Sequence, residues 1–132
     1  MSGYSGTPLI KKLGIKEGYQ IKLVDPPENY LELLGDLPED VDDTSETDLD
    51  FVHIFTNQFD TLEQSLVYYK DRIKKNGMIW VSWYKKASKL PSEINEDIVR
   101  GTALELGLVD VKVCAVDENW SGLKIVIRVK DR

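Results

Sequence analysis

The chain has 132 residues, of which 42% are hydrophobic and 30% are charged, and its net charge is -6. This length predicts one α/β domain, residues 1–132, that can bury roughly 65 to 70% of the surface exposed by the unfolded chain. The single cysteine, Cys114, excludes an internal disulfide. The sequence shows neither a leader pattern at Met1 nor an apolar run of about 18 residues, which predicts a cytoplasmic protein that does not bind membranes.

The negative charge is concentrated in one segment. Eight acidic and no basic side chains lie between Asp36 and Asp50, whereas the rest of the chain has 15 acidic and 17 basic side chains. Segment 36–50 is therefore predicted to be an acidic loop or a short edge strand blunted by its charges. The acidic total disfavours nucleic-acid binding, which would need a local basic patch.

The first part of the chain predicts a helix, a strand and a second helix. A short helix is predicted from Thr7-Pro8 to Gly14, within an N-terminal segment of residues 1–18. Residues 20–25 alternate between polar and apolar side chains and predict the first strand. Pro26-Pro27 then starts a second helix.

The middle of the chain predicts a strand, a helix and a strand. Phe51–Phe55 is an apolar run typical of a strand inside a parallel sheet. Asp60 and Glu63 predict a capping box for a helix that continues to Gly77. Met78–Tyr84 is aromatic and β-branched and predicts the third strand, with alternate residues on opposite faces.

The last part predicts a helix and two strands. Ser92 is predicted to cap a helix that ends at Gly107. Residues 109–116 and 123–129 predict strands joined by the six residues 117–122. Since so short a connection excludes a parallel crossover, these strands are predicted to be antiparallel.

This order of elements predicts a three-layer, Rossmann-like α/β sandwich with a mostly parallel sheet. Its C-terminal antiparallel hairpin resembles the class I methyltransferase fold, shortened by at least one strand-helix unit. The acidic segment 36–50 falls where the complete fold would have its second and third strands. A resemblance of fold does not assign a function.

Four segments resemble a bacterial domain-of-unknown-function family, family 3052. They are Tyr4–Leu9, Lys12–Ile15, Gly77–Val81 and Val113–Leu123. The resemblance extends over nearly the whole chain. It implies a Rossmann-like, methyltransferase-like fold without an assigned activity, so it supplies no catalytic residue.

The turn after the first strand bears on cofactor binding. In dinucleotide-binding folds a glycine-rich turn lets the backbone approach the cofactor at a helix N-terminus. Here Asp25-Pro26-Pro27 contains no glycine, and the prolines have no N–H to donate. The sequence therefore predicts no cofactor, and S-adenosylmethionine is the alternative.

Ligands of open α/β sheets bind outside the carboxyl ends of the strands. The candidate residues follow those ends or lie in the final hairpin connection: Asp25, Thr56, Asn57, Tyr84, Lys85, Lys86, Lys89, Asn119, Trp120 and Ser121. The lysines could bind a phosphate or carboxylate, or they could form an ordinary solvated loop. Trp120 could be a structural lid over the sheet edge or a stacking surface for a ligand or partner.

Other distinctive side chains are predicted to be structural. His53 lies within a strand and is expected to be a buried, hydrogen-bonded imidazole rather than a general base. Trp80 and Trp83 are expected in the core, and Cys114 is expected to be an inert apolar side chain. One histidine and one cysteine are too few for a conventional zinc site, so no metal is predicted.

The preferred function is a non-catalytic, methyltransferase-like module that binds a small ligand or a protein partner at the carboxyl edge of the sheet. The alternative is a divergent S-adenosylmethionine-dependent methyltransferase. The segment with Tyr4, Ser5 and Thr7 is hypothesised to fold over the mouth of the site.

Overall fold

The computed structural model describes residues 7–132. The helices are α1 (Leu9–Leu13), α2 (Tyr30–Leu34), α3 (Phe59–Lys70) and α4 (Glu96–Glu105), and the strands are β1 (Ile21–Val24), β2 (Leu49–Phe55), β3 (Ile73–Tyr84), β4 (Leu108–Ala115) and β5 (Trp120–Ile127). Single 3₁₀ turns lie at Lys86–Ser88 and Val129–Asp131. None of the helices in residues 7–132 has the length and apolar character needed to cross a membrane.

The five strands form one mixed sheet in the order β1-β2-β3-β5-β4. β1, β2 and β3 are parallel, whereas β5 is antiparallel to both β3 and β4. The carboxyl ends of the parallel strands therefore meet at one edge, where Tyr84 at the end of β3 pairs with Trp120 at the start of β5. The predicted Rossmann-like topology with a C-terminal antiparallel hairpin is confirmed.

Helices cover both faces of the sheet. Val81 and Trp83 of β3 belong to the core cluster that includes Leu66 of α3 and Val99 of α4. Trp80 points the other way, into the cluster with α1 and α2. This arrangement confirms the predicted alternation along β3. Each fully buried aliphatic side chain in these clusters contributes about 1.5 to 3 kcal/mol to the free energy of folding.

The predicted start of α3 is wrong. Its N-cap is Gln58, whose side chain makes no capping hydrogen bond, and the expected capping box of Asp60 and Glu63 does not form. The backbone N–H of Phe59 instead donates to Glu93 Oε1 at 2.9 Å. A carboxylate 34 residues away thus replaces the local cap, which local spacing could not indicate.

The predicted end of α3 is also wrong. The helix ends at Lys70 and β3 begins at Ile73, so residues 73–77 belong to the strand and not to the helix. Ile73 pairs with Leu49 of β2, and a Cβ on Gly77 would lie 2.7 Å from the Leu49 carbonyl oxygen. Ile73 has helical spacing from Leu66 and Tyr69, but its pairing with β2 places it in a strand. Glycine at position 77 allows the two backbones to approach closely.

The starts of α2 and α4 differ from the prediction as well. α2 begins at Tyr30, three residues after Pro27, and not at the prolines. α4 is capped by Asn95, whose Oδ1 accepts from Ile98 N at 2.9 Å. The Ser92 hydroxyl instead bonds to the backbone of Ile94 within the preceding loop.

The predicted position of Trp120 in the hairpin connection is wrong. Trp120 is the first residue of β5, and the turn before it is closed by Asp117, whose Oδ1 accepts from Asn119 N and Trp120 N. This side-chain cap shortens the connection. The aromatic side chain is therefore fixed on a sheet edge rather than carried by a loop.

The acidic segment runs along β1. It is irregular apart from one parallel bridge, between Gln20 and Asp42, and β2 begins at Leu49. Glu46 pairs with Lys22 of β1 at 2.9 Å. Hydrogen bonds from Thr44 hold the pKa of the Asp42 carboxyl below its usual range. Residues 36–48 thus form an acidic loop that is held alongside β1 by this bridge and this ion pair, and residues 49–50 belong to β2.

Candidate functional site

A buried polar network lies at the centre of the sheet face that α1 and α2 cover. His53 Nδ1 is 2.8 Å from the Tyr30 hydroxyl, and His53 Nε2 is 2.7 Å from Ser82 Oγ. Burial lowers the pKa of His53 to about 3 and raises that of Tyr30. The predicted burial and hydrogen bonding of His53 are confirmed, because the imidazole is fully buried and both ring nitrogens have partners.

Aromatic side chains occupy the same face at the carboxyl edge of the sheet. The ring of Phe55 is edge-on to Tyr30 at 5.3 Å and edge-on to Trp120 at 5.0 Å. The rings of Trp120 and Tyr84 are 4.5 Å apart. Trp120 is half-buried in this cluster, which favours the structural lid over the free stacking surface.

The turn after β1 offers little to an anionic or nucleotide ligand. Asp25 is exposed with φ of 52°, and Pro26 and Pro27 follow it. The next helix, α2, has five residues, and its first side chain, Tyr30, is buried against His53 and Phe55. The backbone therefore presents no glycine-lined approach and lacks two N–H donors.

An open cleft of about 580 Å³ lies beyond the carboxyl end of β3. Its walls are the end of β3, the 3₁₀ turn Lys86–Ser88 and the loop that leads into α4. Its lining residues are Trp83, Tyr84, Lys85, Lys86, Lys89, Leu90, Ser92, Glu93, Ile94, Asn95, Glu96 and Ser121. Buried Trp83 and Ile94 give it an apolar floor, and polar side chains form the rim.

Asn57 holds the cleft together. Its Oδ1 accepts from Tyr84 N at 2.7 Å, and its backbone carbonyl accepts from Glu93 N at 2.8 Å. Lys85 N in turn donates to the Asn119 carbonyl at 2.9 Å. Asn57 and Asn119 therefore position the walls of the cleft without lining it.

The ionic groups around the cleft leave an excess of positive charge. Of the lining carboxylates, Glu93 accepts from Phe59 N and Glu96 pairs with Arg100. The ion pairs formed within residues 7–132 include none of the three lysines on the rim: Lys85, Lys86 and Lys89. The lysine ammonium groups thus remain available to an anionic ligand.

The cleft brings together half of the predicted site residues: Tyr84, Lys85, Lys86, Lys89 and Ser121 line it. Asp25 lies apart in the exposed turn after β1. Thr56 is buried. Its backbone N–H donates to the Ser82 carbonyl, and its Oγ1 accepts from Gln58 N. Trp120 packs in the aromatic cluster.

The prediction missed the far wall of the cleft, which is formed by residues 90–96. Two local signals could have indicated it. Asn95 is a good N-cap residue directly before the acidic first turn of α4, and the preceding loop contains Ser88 and Ser92. That this loop faces the lysines depends on the bond from Glu93 N to Asn57, which no local pattern encodes.

Two further predictions concern the opposite face. Cys114 is half-buried, and burial raises the pKa of its thiol, which fits the predicted inert role. Thr7 lines a separate cavity of about 280 Å³ with Leu9 and Leu33. Tyr4 and Ser5 lie outside the described residues, so the hypothesis that they cover the site stays a prediction.

The fold is similar to solved structures of S-adenosylmethionine-dependent methyltransferases. An Aquifex aeolicus enzyme matches with a TM-score of 0.63 and 16% identity, over 91% of this chain and 88% of that chain. A Bacteroides fragilis enzyme in complex with S-adenosylhomocysteine matches with a TM-score of 0.57 and 8% identity, over 95% and 79%. A TehB-like enzyme from Corynebacterium glutamicum matches with a TM-score of 0.54 and 15% identity, over 91% and 85%.

These likenesses establish a truncated class I methyltransferase fold. No family model matches the chain, and a search of curated proteins gave no match. The resemblance to family 3052 therefore stays a prediction. At 8 to 16% identity the comparisons show the fold alone.

Proposed function

We propose that this protein is a non-catalytic, methyltransferase-like module that binds a small ligand carrying a phosphate or carboxylate group. The ligand would occupy the cleft at the carboxyl end of β3. The observation that carries the proposal is the unpaired positive charge of Lys85, Lys86 and Lys89 beside an open cleft, where the lining carboxylates have other partners.

The edge of the sheet near β1 supports the non-catalytic part of the proposal. S-adenosylmethionine is a poor fit to a turn with two prolines and no glycine. At the end of β2, the side chains of Tyr30 and Phe55 are buried and pack edge-on with ring centroids 5.3 Å apart, so this part of the sheet edge is closed.

The cleft can be tested with inorganic phosphate and citrate as probes. We expect Lys86→Gln/Lys89→Gln to weaken binding by about tenfold, since a lost charged hydrogen bond costs about 1.4 kcal/mol or more. Isothermal titration at fixed ionic strength gives the dissociation constants. Backbone amide shifts at Ser121 and Asn95 would locate the site.

The matched control is Lys75→Gln/Lys130→Gln, because both lysines are exposed and neither forms an ion pair with residues 7–132. This control changes the net charge equally and should leave binding unchanged. Equal loss in the two double variants would show that the probes respond to overall charge, and the cleft proposal would fail.

The second candidate is a divergent S-adenosylmethionine-dependent methyltransferase. The observation that favours it is the fold, which is shared with enzymes solved with S-adenosylmethionine or S-adenosylhomocysteine bound. We expect neither compound to shift the thermal midpoint at millimolar concentration. Saturable binding would reject the non-catalytic proposal in favour of this candidate. The variant Phe55→Ala, which opens the filled space, shows whether the aromatic cluster excludes the cofactor.

A further inference from the structure

Two lysines face each other across the C-terminal hairpin. Lys112 of β4 is directly opposite Lys124 of β5. Lys124 is also the register partner of Trp80, whose indole N–H donates to the Leu13 carbonyl, so the two lysines lie on the α1 side of the sheet. Side chains directly opposite in antiparallel strands have Cβ atoms about 5 Å apart, and like charges there are destabilising.

A third lysine joins them from the loop after α1. Burial lowers the pKa of Lys124, and the nearby charges of Lys112 and Lys16 lower it further. Lys124 is half-buried, while Lys16 and Lys112 are exposed. We call Lys16, Lys112 and Lys124 the lysine face.

The three lysines of the lysine face form no ion pair within residues 7–132. The basic partners of the ion pairs there are Lys22, Lys70, Lys74 and Arg100. Asp110 is close to Lys112 in sequence, but it pairs with Arg100 of α4 at 3.0 Å on the opposite face. The shift in the β4–β5 register between Asp110 and Lys112 separates these two charges.

We propose that the lysine face binds an oligophosphate group. This goes beyond the cleft, which lies at the end of β3 and is lined by other lysines. A single carboxylate would leave most of the positive charge uncompensated, whereas consecutive phosphates carry several negative charges, which suits a surface where two lysines are directly opposite each other. Lysine binds phosphate as a mobile point charge, which suits an open sheet surface.

The experiment is isothermal titration with inorganic tripolyphosphate and with ATP, at equal ionic strength. Lys112→Gln/Lys124→Gln should weaken tripolyphosphate binding by about tenfold. The cleft variant Lys86→Gln/Lys89→Gln and the control Lys75→Gln/Lys130→Gln should retain it. Comparable affinities for tripolyphosphate and ATP would identify the phosphate chain as the recognised group. Tighter binding of ATP would indicate an additional contact with the nucleoside.

Three results would overturn the proposal. They are equal losses in all three double variants, no binding of either probe, or tighter binding of a short DNA duplex that also requires Lys112 and Lys124. Loss of binding in the cleft variant alone would overturn the lysine face while leaving the proposed function intact. If the cleft variant binds inorganic phosphate as tightly as the parent, the proposed function of the cleft fails and the lysine-face proposal is unaffected.

A stability measurement distinguishes ligand recognition from a structural role. Without ligand, Lys112→Gln should raise the thermal midpoint by about 1 to 3 °C in low salt, because it removes a like-charge pair. The gain should disappear in high salt. A lowered midpoint would mean that Lys112 stabilises the fold, which would contradict the argument from an uncompensated pair.

Discussion

Replacing Trp80 with alanine is expected to lower the free energy of unfolding by about 4 to 5 kcal/mol. The side chain is fully buried, and its indole Nε1 donates to the Leu13 carbonyl at 2.9 Å. Truncating a buried tryptophan costs about 3 to 5 kcal/mol for the lost transfer energy and the cavity, and the unpaired carbonyl adds about 1 kcal/mol or more. Chemical denaturation at pH 7 measures the loss.

The neighbours of Trp80 explain why the site cannot collapse around a smaller residue. Gly122 packs directly on the indole, since a Cβ there would lie 3.2 Å from Trp80 Cε3. Leu13 is fixed by its position at the end of α1. Trp80→Phe keeps most of the volume and loses the N–H donor, so it should cost about 1 to 2 kcal/mol.

The control for this prediction is Val129→Ala, at a side chain that is 77% exposed, with an expected change within about 0.5 kcal/mol. A loss below about 2 kcal/mol for Trp80→Ala would mean that α1 does not pack on the sheet as described. Equal losses for the alanine and phenylalanine variants would assign the effect to the hydrogen bond alone.

The second large effect is an acid-dependent loss of stability caused by His53. Its pKa is about 3 in the folded protein because of burial, against an ordinary value of 6.5. Below pH 6.5 the unfolded chain binds a proton that the folded protein does not. The free energy of unfolding is therefore fully retained above pH 6.5 and should decline by about 3 kcal/mol between pH 6.5 and pH 4.

Substitution isolates this contribution from that of the carboxylates. His53→Gln should be less stable than the parent by about 3 kcal/mol at pH 7.5, because it disturbs the bonds to Tyr30 and Ser82. The two stability curves should converge toward pH 4, since the glutamine does not titrate. Tyr30→Phe removes one partner and keeps the imidazole, so its curve should keep the acid slope.

The chain's one histidine also allows a direct measurement. The imidazole proton resonance should not titrate between pH 5 and pH 8 in the folded state. A midpoint near pH 6.5 would mean that His53 exchanges with solvent, and the structural interpretation of the Tyr30–His53–Ser82 network would be wrong.

The topology followed from sequence patterns because those patterns are local. Period-2 alternation in β3, apolar composition in β2 and the left-handed glycine at Gly14 each report the conformation of their own segment. The short connection before β5 in turn requires an antiparallel pair. The incorrectly predicted boundaries lie where a group distant in sequence determines the end of an element. At the start of α3, for example, the N–H of Phe59 donates to Glu93.

The candidate site was predicted in part for the same reason. Strand ends can be located from the sequence, so Tyr84, Lys85 and Lys86 were identified. The opposing wall and the supporting role of Asn57 could not be, because they depend on hydrogen bonds between segments 27 to 36 residues apart. The lysine face was missed because Lys112 and Lys124 meet through a strand register that a bulge shifts.

By itself, the sequence determined the class of fold, the buried roles of His53 and Trp80, and an acidic segment on an otherwise slightly basic chain. These properties depend on residue type and short-range periodicity. The tertiary structure decided which charges remain unpaired. Glu93 and Glu96 are engaged by Phe59 and Arg100, while the ammonium groups of the lysines on the cleft rim form no ion pair within residues 7–132. Ionic pairing depends on distances in space, which no count of charges along the chain contains.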